Sequence, residues 1–240
     1  IGESTCRKRY MELVGCLLHI STACRPDITA VTNMLASQMS NPSQKHLHMA
    51  EGVLSYLLST KAKGLKFNKA DVKGKSDLSK LRNMNLEGFF DSDFADDKSR
   101  KSRTGFVIYY NGNLISWISK LQSLHAQSVF EAETIAGNEA HKTIKFLRKI
   151  VADISCGKEP MGIILHGDNE RAIECAKTGV YGKRSKHFEV RLLNLSDGHQ
   201  KRIIVLQHVS TQEDPADLFT KIVKANIFKH LVDRLVVRVA

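Results

Sequence analysis

Four acids, Asp91, Glu133, Asp168 and Asp217, stand where carboxylates could do chemistry. Asp91 directly follows Phe89-Phe90, and an acid that continues an apolar strand is costly to bury unless it is paired or binds a cation. Glu133 opens a helical stripe continued by Gly137, Ala140, Ile144, Leu147 and Val151, and it is the only charge on that stripe. Asp168 closes the run Met161–Gly167, at the carboxyl end of a buried strand, where ligands of open sheets gather. Asp217 falls in the first turn of a helix opened by an N-cap Asp214 and by Pro215. Drawn into one partly dry pocket, four carboxylates repel one another and require cations. Oxygen-only ligands select hard ions such as Mg²⁺ or Mn²⁺. Two such ions about 4 Å apart can activate a water and stabilise the leaving oxygen of a phosphodiester. Each acid also has a plainer reading: a strand-end turn for Asp91, a dipole-favoured acid near the helix N-terminus for Glu133, an N-cap for Asp168, an exposed first-turn acid for Asp217. Asp96 and Asp97 read as solvated turn residues, and Glu131 and Glu139 fall off the stripe and are expected in solvent.

The elements that must position these acids follow from periodicity. Alternating apolar residues predict strands over 86–94, 105–110 and 114–119, the last two joined by the tight-hairpin dipeptide Asn111-Gly112. A long helix is expected over about 128–154, a buried strand over 161–166 and a helix over 169–177. A helix over 185–195, a strand over 202–209 and closing helices over 215–222 and 226–237 complete the pattern. Three antiparallel strands followed by alternating helix and strand describe an α/β fold, a mixed sheet with helices on its faces. Upstream, Met11, Val14, Leu17 and Leu18 form one helical stripe; Ile28, Val31, Leu35 and Met39 a second; Leu47, Ala50, Leu54, Leu57 and Leu58 a third. The chain therefore divides into a small all-α segment (1–60), a basic linker (61–84), an α/β domain (85–221) and a C-terminal helix (222–240).

A net charge of +11 over 240 residues suits a polyanionic partner. Lys183, Arg184, Lys186 and His187 form a compact basic cluster, and Arg103 and Asn169 lie beside the acids, so these six are the candidate nucleic-acid contacts. The bland reading of such clusters is a solvated loop. Trp117 could stack on a base or sugar, though a strand Trp is more often core, and His46 and His48, two apart on a helix, do not face each other for metal binding. Five cysteines without a CxxC pair argue against a zinc ribbon or a disulfide scaffold and read as small buried side chains in a reducing compartment. No run of eighteen apolar residues exists, so no membrane partner is expected. The chain does not begin with Met, and it is expected to be a piece of a longer polypeptide.

Taken in order, several blocks resemble the C-terminal part of the Pol polyprotein of copia-type (Pseudoviridae) retrotransposons. They are YMELVGCLLHISTACRPDITAVTNMLASQMSNPSQKH, GFFDSDFADDKSRKSRTGFVIYYNGNLISWISKLQ, FEAETIAGNEA, GDNERAI, RSKHFEVR and DPADLFTK. The first block is similar to the segment after the reverse-transcriptase palm, and the rest to the family's ribonuclease H. The resemblance implies a ribonuclease H-like five-stranded mixed sheet whose metal ligands are Asp91, Glu133, Asp168 and Asp217, holding two Mg²⁺ ions, with Mn²⁺ as a substitute. It implies hydrolysis of the RNA strand of an RNA–DNA hybrid, with His208 as an auxiliary residue in product release. The partners implied are the hybrid and an upstream reverse-transcriptase domain, in a cytoplasmic virus-like particle with a nuclear phase. The chain departs from the family at Ser128-Val129-Phe130, at Thr134 and at Ile222, which touch packing more than the acids. The Tyr-x-Asp-Asp polymerase motif is absent, so the chain alone is not expected to polymerise DNA. Retention of all four acids favours the enzyme. The changed packing residues favour a rival, a catalytically silent nucleic-acid-binding or connection module of a decayed or domesticated element.

Overall fold

The computed structural model describes residues 3–68, 86–155, 157, 159–179 and 189–238. Most of the basic linker, the 183–187 cluster and the start of the helix expected at 185–195 lie outside the described residues. The chain forms two compact units, residues 1–66 with 221–240, and residues 67–220.

In the first unit, α1 (Glu3–Ala23), α2 (Thr29–Ala36) and α3 (Gln44–Ser59) pack around Tyr10, Val14, Leu17, Ile28, Leu35, Leu47, Ala50, Val53 and Leu57. The buried stripe of α1 begins at Tyr10, whose hydroxyl donates to Leu35 O at 2.7 Å, while Met11 is exposed. That of α3 takes Val53 at the position expected for Leu54, because the spacing 47, 50, 53, 57 keeps one face. Ser43 caps α3 in a reciprocal box with His46. A buried bidentate pair, Arg25 to Asp27, also receives the Tyr56 hydroxyl at 2.7 Å and donates to Thr60. Lys63–Gly64 forms a short strand paired antiparallel with Val237–Arg238, so the C-terminal helix, Ala225–Leu235, ends before that ribbon. Cys16 and Cys24 are exposed and free, which corrects the expectation of buried thiols: Cys16 lies off the Tyr10–Val14–Leu17 face.

The second unit holds β1 (Leu86–Asp93), β2 (Arg103–Tyr110), β3 (Asn113–Leu121), α4 (Val129–Ser155), β4 (Ile163–Gly167), α5 (Glu170–Thr178), α6 (Glu189–Gln200) and β5 (Ile204–His208). The strands form one sheet in the order β3-β2-β1-β4-β5. The first three run antiparallel, and β4 and β5 run parallel to β1. This is the mixed five-stranded sheet with flanking helices that the pattern predicts. Asn111 and Gly112 both take positive φ, as a tight hairpin of matching twist requires. The closing helix expected at 215–222 is a five-residue 3-10 turn, Pro215–Phe219.

The small beginning of the α4 stripe does the work its residue types allow. A Cβ on Gly137 would stand 3.0 Å from the Phe90 ring, and one on Gly167 would stand 2.6 Å from it. Phe90 is therefore clasped between helix and strand, and that clasp draws the first turns of α4 onto the carboxyl ends of β1 and β4. Further along, Ala140 and Ile144 are fully buried against Leu86, Ile108 and Leu165.

Candidate metal centre

Parallel register pairs Phe90 of β1 with Gly167 of β4. The next residues on the two strands, Asp91 and Asp168, therefore emerge side by side at the sheet edge. Glu133 reaches the same edge from the second turn of α4. Among the described residues, Asp91, Glu133 and Asp168 form one cluster in which a carboxylate oxygen of each lies within 4.8 Å of the others. Asp91 is 1% and Glu133 2% exposed.

Each carboxylate is held by a hydroxyl. Ser92 donates to Glu133 Oε1 through its Oγ (2.8 Å) and its backbone N–H (3.3 Å). The Thr220 hydroxyl donates to Asp91 Oδ2, and that of Thr211 to Asp168 Oδ2 at 3.0 Å. Thr220 can approach because Gly105 faces Asp91 in the ladder. A Cβ there would stand 2.6 Å from Thr220 Cγ2, 2.8 Å from Phe219 Cβ and 3.0 Å from Ala216 O. The turn carrying Asp217 thus lies directly on the backbone of β2. Asp217 is 2% exposed on that turn, but it does not join the three-acid group.

Burial, then the neighbouring Asp91 and Asp168, push the Glu133 carboxyl well above its ordinary value, against the hydrogen bonds from Ser92. Glu133 Oε2 is buried with no hydrogen-bond partner. A buried, partnerless oxygen among like charges is poorly served by protein alone and is suited to a cation. The donor set is all carboxylate, so the residues fit a hard divalent ion.

Other expected site residues fall as follows. Arg103 is 6% exposed, donates to Ser119 Oγ at 3.3 Å, and has its pKa lowered by burial against the pull of Asp97, Asp93 and Asp96. Asn169 caps α5 through its side-chain oxygen. His208 ends β5, in register with Gly167, and its Nδ1 lies 3.9 Å from Glu170. Lys183, Arg184, Lys186 and His187 lie outside the described residues.

Glu131 corrects the sequence reading: it is 3% exposed, because its Oε2 accepts from Gln127 N at 2.8 Å while its own N–H donates to Ser128 Oγ. This local cap, one turn before the stripe, buries an acid that periodicity assigns to solvent. Ser92, Thr211, Thr220 and Asp214 were not singled out for the site by spacing. Their signal is weaker: hydroxyls next to or three residues from an acid, and a second acid three positions before Asp217.

Sheet and acids together define a ribonuclease H-like domain with a candidate carboxylate centre. The chain is 31% identical over 221 residues to the retrovirus-related Pol polyprotein from transposon TNT 1-94 of Nicotiana tabacum, covering 92% of this chain and 16% of that protein. It is 26% identical over 229 residues to the retrovirus-related Pol polyprotein from transposon RE1 of Arabidopsis thaliana, covering 94% and 15%. Over more than nine-tenths of its length the chain is similar to these Pol polyproteins, and it spans less than a fifth of the length of these curated relatives. No family model matches it. Among solved structures, LC11 ribonuclease H1 in complex with an RNA/DNA hybrid is similar over 57% of this chain and 94% of that one, at 16% identity and a TM-score of 0.43. No helix among the described residues is long and apolar enough to cross a membrane.

Proposed function

We propose that this chain is the ribonuclease H portion of a retrotransposon Pol polyprotein, cutting the RNA strand of RNA–DNA hybrids with two Mg²⁺ ions, for which Mn²⁺ can substitute. The observation that carries the proposal is the convergence of Asp91, Glu133 and Asp168 within 4.8 Å from two strand ends and a helix. Bound divalent ions would supply an activated water and charge stabilisation for the leaving oxygen.

The chain's own residues do the positioning. Asp91 and Asp168 provide oxygens fixed by Thr220 and Thr211. Ser92 occupies Glu133 Oε1 and leaves Oε2 for a ligand. Asp217 supports the second ion from the turn seated on Gly105. His208, beside the end of β4, assists product release. Lys183, Arg184, Lys186, His187 and the edge near Arg103 and Asn169 contact the hybrid backbone. The natural partner is the reverse-transcriptase domain upstream in the same polyprotein.

A labelled-hybrid cleavage assay with Mg²⁺ tests this. The native chain is expected to cut RNA only with the metal, and Asp91→Asn and Glu133→Gln to lose cutting while still binding hybrid. Metal-independent behaviour, with intact hybrid binding and no cutting, would instead support the silent module.

A further inference from the structure

Asp214 caps the turn that carries Asp217. Its Oδ1 accepts from Ala216 N at 2.8 Å, the ordinary work of an N-cap. A capping aspartate on a surface turn keeps its second oxygen in water. Asp214 is 0% exposed, and its Oδ2 is buried without a hydrogen-bond partner. The charges that face it, strongest first, are those of Asp91, Asp217 and Asp168, and together with burial they raise its pKa well above the ordinary value. The turn that Asp214 caps is seated on Gly105, which pairs with Asp91 in the ladder, so the sealed oxygen belongs to the turn that packs against the strand of the candidate centre.

A carboxylate oxygen so placed needs a donor that carries positive charge. A hydrated divalent ion meets both needs, because Mg²⁺ sheds its waters reluctantly and presents their O–H groups to second-layer acceptors. We propose that Asp214 is an outer carboxylate of the metal centre, its Oδ2 accepting from water on a cation held by Asp91 and Asp168. The inference rests on the metal-dependent reading above and adds a fifth acid to the four that carry it. It gives the cap two tasks on its two oxygens: Oδ1 holds the turn on Gly105, and Oδ2 holds the ion's hydration.

Calorimetric titration of the full 240-residue chain with Mg²⁺, together with melting curves in chelator and in Mg²⁺, tests the proposal. Asp214→Asn keeps the capping oxygen and replaces Oδ2 with an amide that cannot accept. Asp214→Ser also keeps a cap and removes the charge. Both are expected to fold, and Asp214→Asn to melt in chelator at or above the native temperature, since a repelled acid has gone. Both are expected to bind Mg²⁺ about tenfold or more weakly, as loss of an outer-layer partner does, with a smaller metal-induced rise in melting temperature. Native Mg²⁺ affinity in Asp214→Asn overturns the proposal. Asp91→Asn separates the two readings. If it abolishes Mg²⁺ binding while Asp214→Asn does not alter it, the centre stands and only the role of Asp214 falls. If the native chain binds no Mg²⁺, both fall.

Discussion

Ser92 and Glu133 meet across the interface of β1 and α4, with the Ser92 hydroxyl 2.8 Å from Glu133 Oε1. The neighbouring residue, Asp91, points to the opposite face, where it meets Thr220. Two successive strand residues therefore serve the acidic cluster from both sides of the sheet, one as a member of it and one as the anchor of another member. The Ser92 hydrogen bonds favour the ionised form of Glu133. Ser92→Ala removes the hydroxyl's bond, leaves the backbone N–H bond, and raises the Glu133 proton affinity further. The acidic limb of the pH–rate profile for hybrid cleavage is expected to move to higher pH. The rate at neutral pH should fall about tenfold, the scale of one hydrogen bond to a charged group.

Gly105 is the seat of the 3-10 turn. In Gly105→Ala the new methyl group would collide with Thr220, Phe219 and the Ala216 carbonyl, and backbone on that list cannot step aside as a side-chain tip can. The expected cost is about 2 kcal/mol of folding stability, read by urea denaturation in chelator, as for other overpacked sites. The same variant should weaken Mg²⁺ binding, because Thr220 and Asp217 move with the turn.

The raised pKa of Glu133 gives metal-free stability a definite pH dependence. An acid whose folded value lies above its unfolded one contributes stability that is present below the ordinary carboxylate range and lost as pH rises through the raised value. In chelator at pH 8, Glu133→Gln is therefore expected to be more stable than the native chain. The difference should shrink as pH falls toward the carboxylate range. Saturating Mg²⁺ should reverse the order at pH 8, since the native site then gains binding energy that the variant lacks.

His141 acts in the opposite direction. It is 0% exposed on α4, neither ring nitrogen has a hydrogen-bond partner, and a Cβ on Gly198 would stand 2.3 Å from its ring. Burial, then Lys145 and Arg148, hold its pKa down to about 4, against the pull of Asp197. A base whose folded value is depressed contributes stability present above its unfolded value of 6.5 and lost as pH falls toward 4. Acid melts from pH 7 to 4 should show this loss in the native chain and a flatter profile in His141→Asn.

Much of the site is legible in the sequence because it is built from local rules. Phe89-Phe90-Asp91 announces an acid at the end of an apolar strand. The 133, 137, 140, 144 spacing places Glu133 on the buried face of α4, and the small residues beside it announce a close approach, which Phe90 and Gly137 make. The Asn111-Gly112 dipeptide announces the hairpin that joins β2 to β3 and sets Gly105 opposite Ser119. What was not legible depends on contacts between distant segments. Thr220 reaches Asp91 across 129 positions, and Thr211 reaches Asp168 across 43. Asp214 reads as a plain cap until the fold seals its second oxygen. At Glu131 a cap formed with Gln127 and Ser128 overrides helical periodicity in the first turn. Cys16 and Cys24 were assigned by residue type alone, which carries no facing information.

Anomalous diffraction from crystals of the chain soaked in Mn²⁺ tests the central claim most directly. Peaks are expected at coordination distance from oxygens of Asp91, Glu133 and Asp168, about 2.0–2.6 Å for hard cations. Well-ordered crystals with those three carboxylates intact and no manganese between them, or manganese bound only elsewhere, would contradict the account.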